Sequence, residues 1–86
     1  MSESKIETVK GFCVIALTKY LMKQLNLTHD KAFEKLMSME IYPLLMDTET
    51  RLFLETNDYL CQCCEIELNN GIEALYSYIN EEIVSV

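Results

Sequence analysis

No tryptophan, a single proline (Pro43), two glycines (Gly11 and Gly71) and one histidine (His29) occur among the 86 residues. Each scarcity excludes something. Two isolated glycines cannot build a phosphate-cradling loop, which needs them closely spaced. One histidine with no serine or cysteine to activate beside it makes no catalytic triad. So few helix breakers leave the chain little punctuation, and long helical stretches are expected. Long hydrophobic runs are lacking too. The longest is "FCVIAL", Phe12 to Leu17, against the about 20 residues a membrane span takes. The opening "MSESKIETVKG" is charged and has no apolar segment before a small-residue cleavage site, unlike a signal peptide. A cytoplasmic protein with reduced thiols is the expectation, so the four cysteines are not read as two disulfides.

Positive charge is the remaining shortage, and it is local. Residues 1–46 hold six lysines against five Asp or Glu, a net of +1. Residues 47–86 hold Arg51 alone against nine, a net of −8. An acidic half repels phosphate backbones, so nucleic acid is not an expected partner. It suits a basic protein partner, or simply solubility.

Hydrophobic residues, by contrast, make up 50% of the chain. That is much for a single small domain, which buries only roughly 60–65% of its unfolded surface. Ile6, Val9, Phe12, Cys13, Ala16, Leu17, Tyr20 and Leu21 recur at helical spacing and predict a first helix over about residues 4–25. A second apolar face on the same helix, Val14, Ile15, Leu21, Met22 and Leu25, is interrupted only by Thr18. A helix apolar on two sides is covered on two sides. Either the other segments wrap it, or its second face meets another copy of the chain. A two-fold dimer through Val14, Ile15, Leu21, Met22 and Leu25 is the expectation.

Asn26 suits the end of that helix, and Thr28 the cap of a second over about 29–38, with Ala32, Phe33, Leu36 and Met37 on its stripe. Pro43 opens a short helical piece, "YPLLM", and "DTET" reads as a turn. "RLFLE" is β-prone, so residues 51–54 are expected to be extended. Thr56 or Asn57 caps a helix over about 57–69. Asn70 with Glu73 forms a capping pair for the last helix, whose apolar face is Ile72, Leu75, Tyr76, Ile79 and Ile83.

Chemistry is sought first in "YLCQCCEIEL", Tyr59 to Leu68, which holds three of the four cysteines. On a helical wheel Cys61, Cys63 and Cys64 all fall in the apolar sector with Leu60 and Leu68. Free cysteine packs as a small hydrophobe, and that reading explains every position. Cys61 and Cys64 also form C-x-x-C, one turn apart, the alternative being a thiol-redox or metal-binding pair. A structural zinc takes about four ligands, and only Cys13, Cys63 and His29 remain, none of them in a second ligand pair. No cofactor is implied. Glu67 is the residue the pattern does not accommodate, because it points into the apolar sector. It reaches water past Leu68, pairs with a lysine, or anchors a partner's basic side chain. With Glu65 and Glu73 it forms the candidate partner-binding set.

The order of a long apolar helix ("FCVIALTKYLMKQLNL"), a charged helix ("THDKAFEKL"), an aromatic-and-leucine segment ("IYPLLM") and a closing acidic helix resembles certain short bacterial all-helical proteins of unknown function. The resemblance is one of pattern, over about residues 10–80. Some such proteins are encoded beside toxin-like enzymes, which implies a toxin-like partner that is neutralised or escorted. The expectation is one all-α domain, 1–86, of four or five helices with Phe12 to Leu17 at its centre. It is read as non-enzymatic, an interaction module that pairs with itself.

Overall fold

In the computed structural model, which describes residues 3–84 and the side chains of 3–80, the described residues form five α-helices and no strand. The helices are α1 (Glu3–Leu25), α2 (His29–Ser38), α3 (Ile41–Met46), α4 (Asn57–Asn70) and α5 (Ile72–Val84). Two single 3-10 turns, Thr48–Thr50 and Leu52–Leu54, join α3 to α4.

The boundaries follow from local chemistry. Asn26 adopts a left-handed conformation (φ 53°), and Leu27 N–H then donates to Met22 O, closing the last turn of α1. The Thr28 hydroxyl accepts from Lys31 N–H and starts α2. The Thr56 hydroxyl accepts from Tyr59 N–H and starts α4. Asp47 Oδ1 accepts from Glu49 N–H, so "DTET" becomes a 3-10 turn.

Two local expectations are corrected. Residues 51–54 are not extended: Arg51 is left-handed (φ 58°), and Leu54 and Glu55 N–H donate back to Arg51 and Leu52 O. Among the described residues no strand lies alongside to satisfy an extended backbone, and the turn satisfies itself. It also buries Leu52 and Phe53 side by side. Asn70 does not open α5, because it is the last residue of α4. Gly71 alone separates the two helices, at φ 92°, ψ 178°, which essentially only glycine adopts.

α2 lies along α1, α1 along α4, and α4 along α5. α3 touches α1, α2 and α4 together, so it lies across one face of this layer. The shortest dimension, 19 Å, is that of two helices of roughly 10 Å each. The core fills the seam: Cys13, Leu17 and Leu21 from α1, Ala32 and Leu36 from α2, Ile41 and Leu45 from α3, Leu60, Cys63 and Cys64 from α4, and Leu75 and Ile79 from α5.

Only one side of α1 is covered. Cys13, Leu17 and Leu21 are buried with Lys10 and Thr18, whereas Phe12 and Ile15 are 66% and 50% exposed. The centre of the fold is therefore Cys13 and Leu17 rather than all of Phe12 to Leu17. Thr18, expected to break the second face, is buried and donates its hydroxyl to Val14 O. On α5, Ile72 and Tyr76 turn outward from the expected apolar face, since this edge helix buries only the line through Leu75 and Ile79. The side chain of Ile83 lies outside the described residues. No described helix is long and apolar enough to cross a membrane.

Candidate functional site

α3 shows the most unusual chemistry in the molecule. It is six residues long, and such a helix is too short to persist alone. Its N-terminus opens at Glu40, whose side chain makes no cap. The cap comes instead from α4: Glu67 Oε2 accepts from Glu40 N–H at 2.7 Å and Oε1 from Ile41 N–H at 3.0 Å. At the other end Lys10 of α1 donates from Nζ to Met46 O at 2.7 Å and to the Thr48 hydroxyl at 3.0 Å. The ammonium lies 5.6 Å from the centre of the Phe53 ring and 4.0 Å from Glu7 Oε1. Negative charge at the N-terminus and positive at the C-terminus is the favourable arrangement for the helix dipole. Glu67, which sequence reasoning singled out as misplaced, is thus held inside the chain by two amides. Lys10 was missed. Its signal was its place three residues before Cys13 and seven before Leu17, within the stripe that becomes buried.

Tyr76 extends this network. Its hydroxyl donates to Glu40 Oε1 at 2.6 Å, tying α5 to the start of α3, and that bond to a carboxylate raises the phenol's pKa. Tyr78 stacks on Tyr59 with ring centres 5.5 Å apart and donates to Gln62 Oε1, so both tyrosines are occupied within the chain.

All four cysteines are free thiols; Cys61 is half-buried and the other three are buried. Burial raises Cys64 to about 12, with Cys61, Glu67 and Cys63 adding and Lys35 opposing. Burial and then Asp58 raise Cys61. Burial raises Cys13 too, whose Sγ sits 3.6 Å from Phe53 O. A nucleophile or a metal ligand needs the thiolate, and this environment disfavours it. Among the described residues no three His, Cys, Asp or Glu side chains gather as a metal site would need.

The acidic candidates are dispersed. Glu65 is exposed on the outer side of α4, beside a polar groove of about 240 Å³ shared with Tyr20, Gln24, Leu25, Leu68 and Asn69. Glu73 is exposed in the first turn of α5. Of the expected dimer residues, Leu21 is wholly buried in the chain's own core and cannot serve, because no part of its side chain reaches solvent. Val14 and Met22 are half-buried against the core. Ile15 remains outward, and Leu25 is exposed at the edge of the α1–α4 groove. Phe12, assigned by its spacing to the core, joins Ile15 on the open face. A second, mostly apolar cleft of about 210 Å³ lies between α3, the 3-10 turns and α5, lined by Leu44, Thr50, Leu52, Tyr76, Ile79 and Asn80.

No protein-family model, curated protein or solved structure matches the chain.

Proposed function

We propose that the protein is a non-enzymatic interaction module of the cytoplasm that pairs with itself through the open face of α1. The observation that carries this reading is the pair Phe12 and Ile15, exposed at 66% and 50% on the helix that also supplies the core. Fully burying such a side chain is worth about 1.5–3 kcal/mol, a large gain for a domain of this size. The pairing leaves Glu65 and Glu73 on the outer surface, available to a basic partner such as a toxin-like protein. The raised thiol pKa values of Cys61 and Cys64 favour packing over a redox or metal role for that pair.

Sedimentation of the purified chain at micromolar concentration tests the pairing. A dimer is expected, reduced to monomer by Ile15→Glu, which faces solvent and leaves the core intact. A monomeric wild type ends the reading, and so does a dimer indifferent to Ile15→Glu. The thiols are tested with EDTA, which should leave the melting temperature unchanged. A drop of many degrees would restore the metal alternative, since structural metals contribute folding energy outright.

A further inference from the structure

The groove between α1 and α4 gathers polar side chains that the chain itself does not use. Tyr20 and Leu68, half-buried against the core, make its floor, and Gln24, Leu25, Glu65 and Asn69 stand exposed around it. The side chains of Tyr20, Gln24, Glu65 and Asn69 have no hydrogen-bond or ion-pair partner among the described residues. The groove is negative in sign. Glu65 is the one charged residue lining it, and after burial its carboxylate is the largest cause raising the Tyr20 phenol's pKa. Both flanking helices also end there: Gln24 and Leu25 lie in the last turn of α1, Leu68 and Asn69 in that of α4. Helix C-termini carry partial negative charge and attract cations. The last turn of α4 has no basic residue. Lys23, in that of α1, is exposed and neither lines the groove nor pairs with Glu65.

Size and donor count narrow the occupant. At about 240 Å³ the groove is smaller than the roughly 300–1,000 Å³ sites that enclose a drug-sized molecule, and it suits a single long side chain. The Glu65 carboxylate, the Gln24 and Asn69 amide oxygens and the Tyr20 hydroxyl offer more acceptors than the three protons of an ammonium can use. A guanidinium brings five donors in a planar fork, a face to lie on the Tyr20 ring and an apolar stem for Leu25 and Leu68. A divalent metal is a poorer match, with one carboxylate to bind it. We propose that this groove binds an arginine side chain of a basic partner protein, paired to Glu65 and resting on Tyr20 and Leu68. This rests on the reading that the acidic half meets a basic partner, and it names where that partner is gripped. Phe12 and Ile15 take no part, so the contact is open to a monomer or a pair.

Backbone-amide NMR of the full-length chain, titrated at low salt with the peptide acetyl-Ala-Ala-Arg-Ala-Ala-amide, tests it. Saturable shifts are expected at Tyr20, Gln24, Leu25 and from Glu65 to Asn69, with little movement on α5. Glu65→Gln should weaken binding about tenfold, the loss of one charge-assisted pair. Gln24→Lys, which supplies the groove with a cation from within the chain, should weaken it as much, and Glu73→Gln should leave it unchanged. All three positions are exposed, so the core is untouched. The same peptide with citrulline in place of arginine should not bind, and the lysine peptide should bind several-fold more weakly. Equal binding of either control overturns the guanidinium assignment. Absence of saturable shifts, shifts centred on Glu73, or binding indifferent to Glu65→Gln overturns the groove. The basic-partner reading falls with it only if hexa-arginine shifts nothing either.

Discussion

Lys10 is the only lysine among the described residues that is buried, and every donor direction it uses returns to the chain: Met46 O, the Thr48 hydroxyl and the flank of Glu7. Truncating one partner of such a contact leaves the other unsatisfied, which costs more than the bond itself contributes. Lys10→Ala and Glu67→Ala should therefore each lower stability by about 1–3 kcal/mol in urea unfolding. A loss within a few tenths of a kcal/mol would mean that water replaces these caps freely. Cys64 makes a different residue-scale prediction. Its thiol is raised from 9.0 to about 12, so between those values the folded chain binds a proton that the unfolded chain has released. Its contribution to stability is complete below pH 9 and declines as pH rises toward 12. Melting temperature should fall from pH 8.5 upward, and Cys64→Ala, though less stable throughout, should flatten that slope. Equal slopes in the two proteins would refute the assignment.

At the scale of elements, α3 is a helix whose stability resides in its neighbours. Glu67 and Lys10 grip opposite ends of six residues, so loss of either cap frees the segment and devalues the other. The double variant should cost less than the sum of the two single ones, by about 0.5 kcal/mol or more in a double-mutant cycle. Strict additivity would show that the two ends act independently. The glycines give a paired test of backbone alone, since a Cβ would meet nothing within 4 Å at either position. Gly71 holds φ 92° between α4 and α5, so Gly71→Ala should destabilise by about 1–3 kcal/mol. Gly11 is a plain helical position on the exposed side of α1, so Gly11→Ala should stabilise by about 0.5–1 kcal/mol. Both are read from the same unfolding curves, and equal signs would contradict the account.

As a whole, the molecule is a thin slab, 36 by 32 by 19 Å, with α3 and the 3-10 turns covering one face of the helical layer. A chain of 86 residues covers its first helix once. The other side keeps Phe12 and Ile15 in water unless a second copy takes them up. If pairing is part of folding, stability depends on concentration by mass action. The melting temperature should rise steadily over a hundredfold increase in protein concentration, and the rise should vanish in Phe12→Ala. A concentration-independent transition in the wild type would place the folded state in the monomer.

Local chemistry determined a good deal of this from the sequence alone. Thr28 and Thr56 are caps because a hydroxyl in that position meets free amides whatever surrounds it. Asn26 ends α1 because asparagine tolerates the left-handed turn, and the 3.6-residue recurrence of apolar side chains specified the helices. Even Glu67 was legible as an anomaly, though not as a cap, since the amides it holds lie 26 and 27 residues away. Tertiary structure decided the rest. Which side of α1 is inside turned on where α2, α4 and the segment from α3 to Leu54 pack against it, so Phe12 went out while Lys10 went in. Residues 51–54 curled into a turn because no strand lay beside them. The cleft between α3 and α5 is formed by side chains as far apart as Leu44 and Asn80. Burial and bonding partners of that kind are properties of the assembled chain, and no periodicity within one helix encodes them.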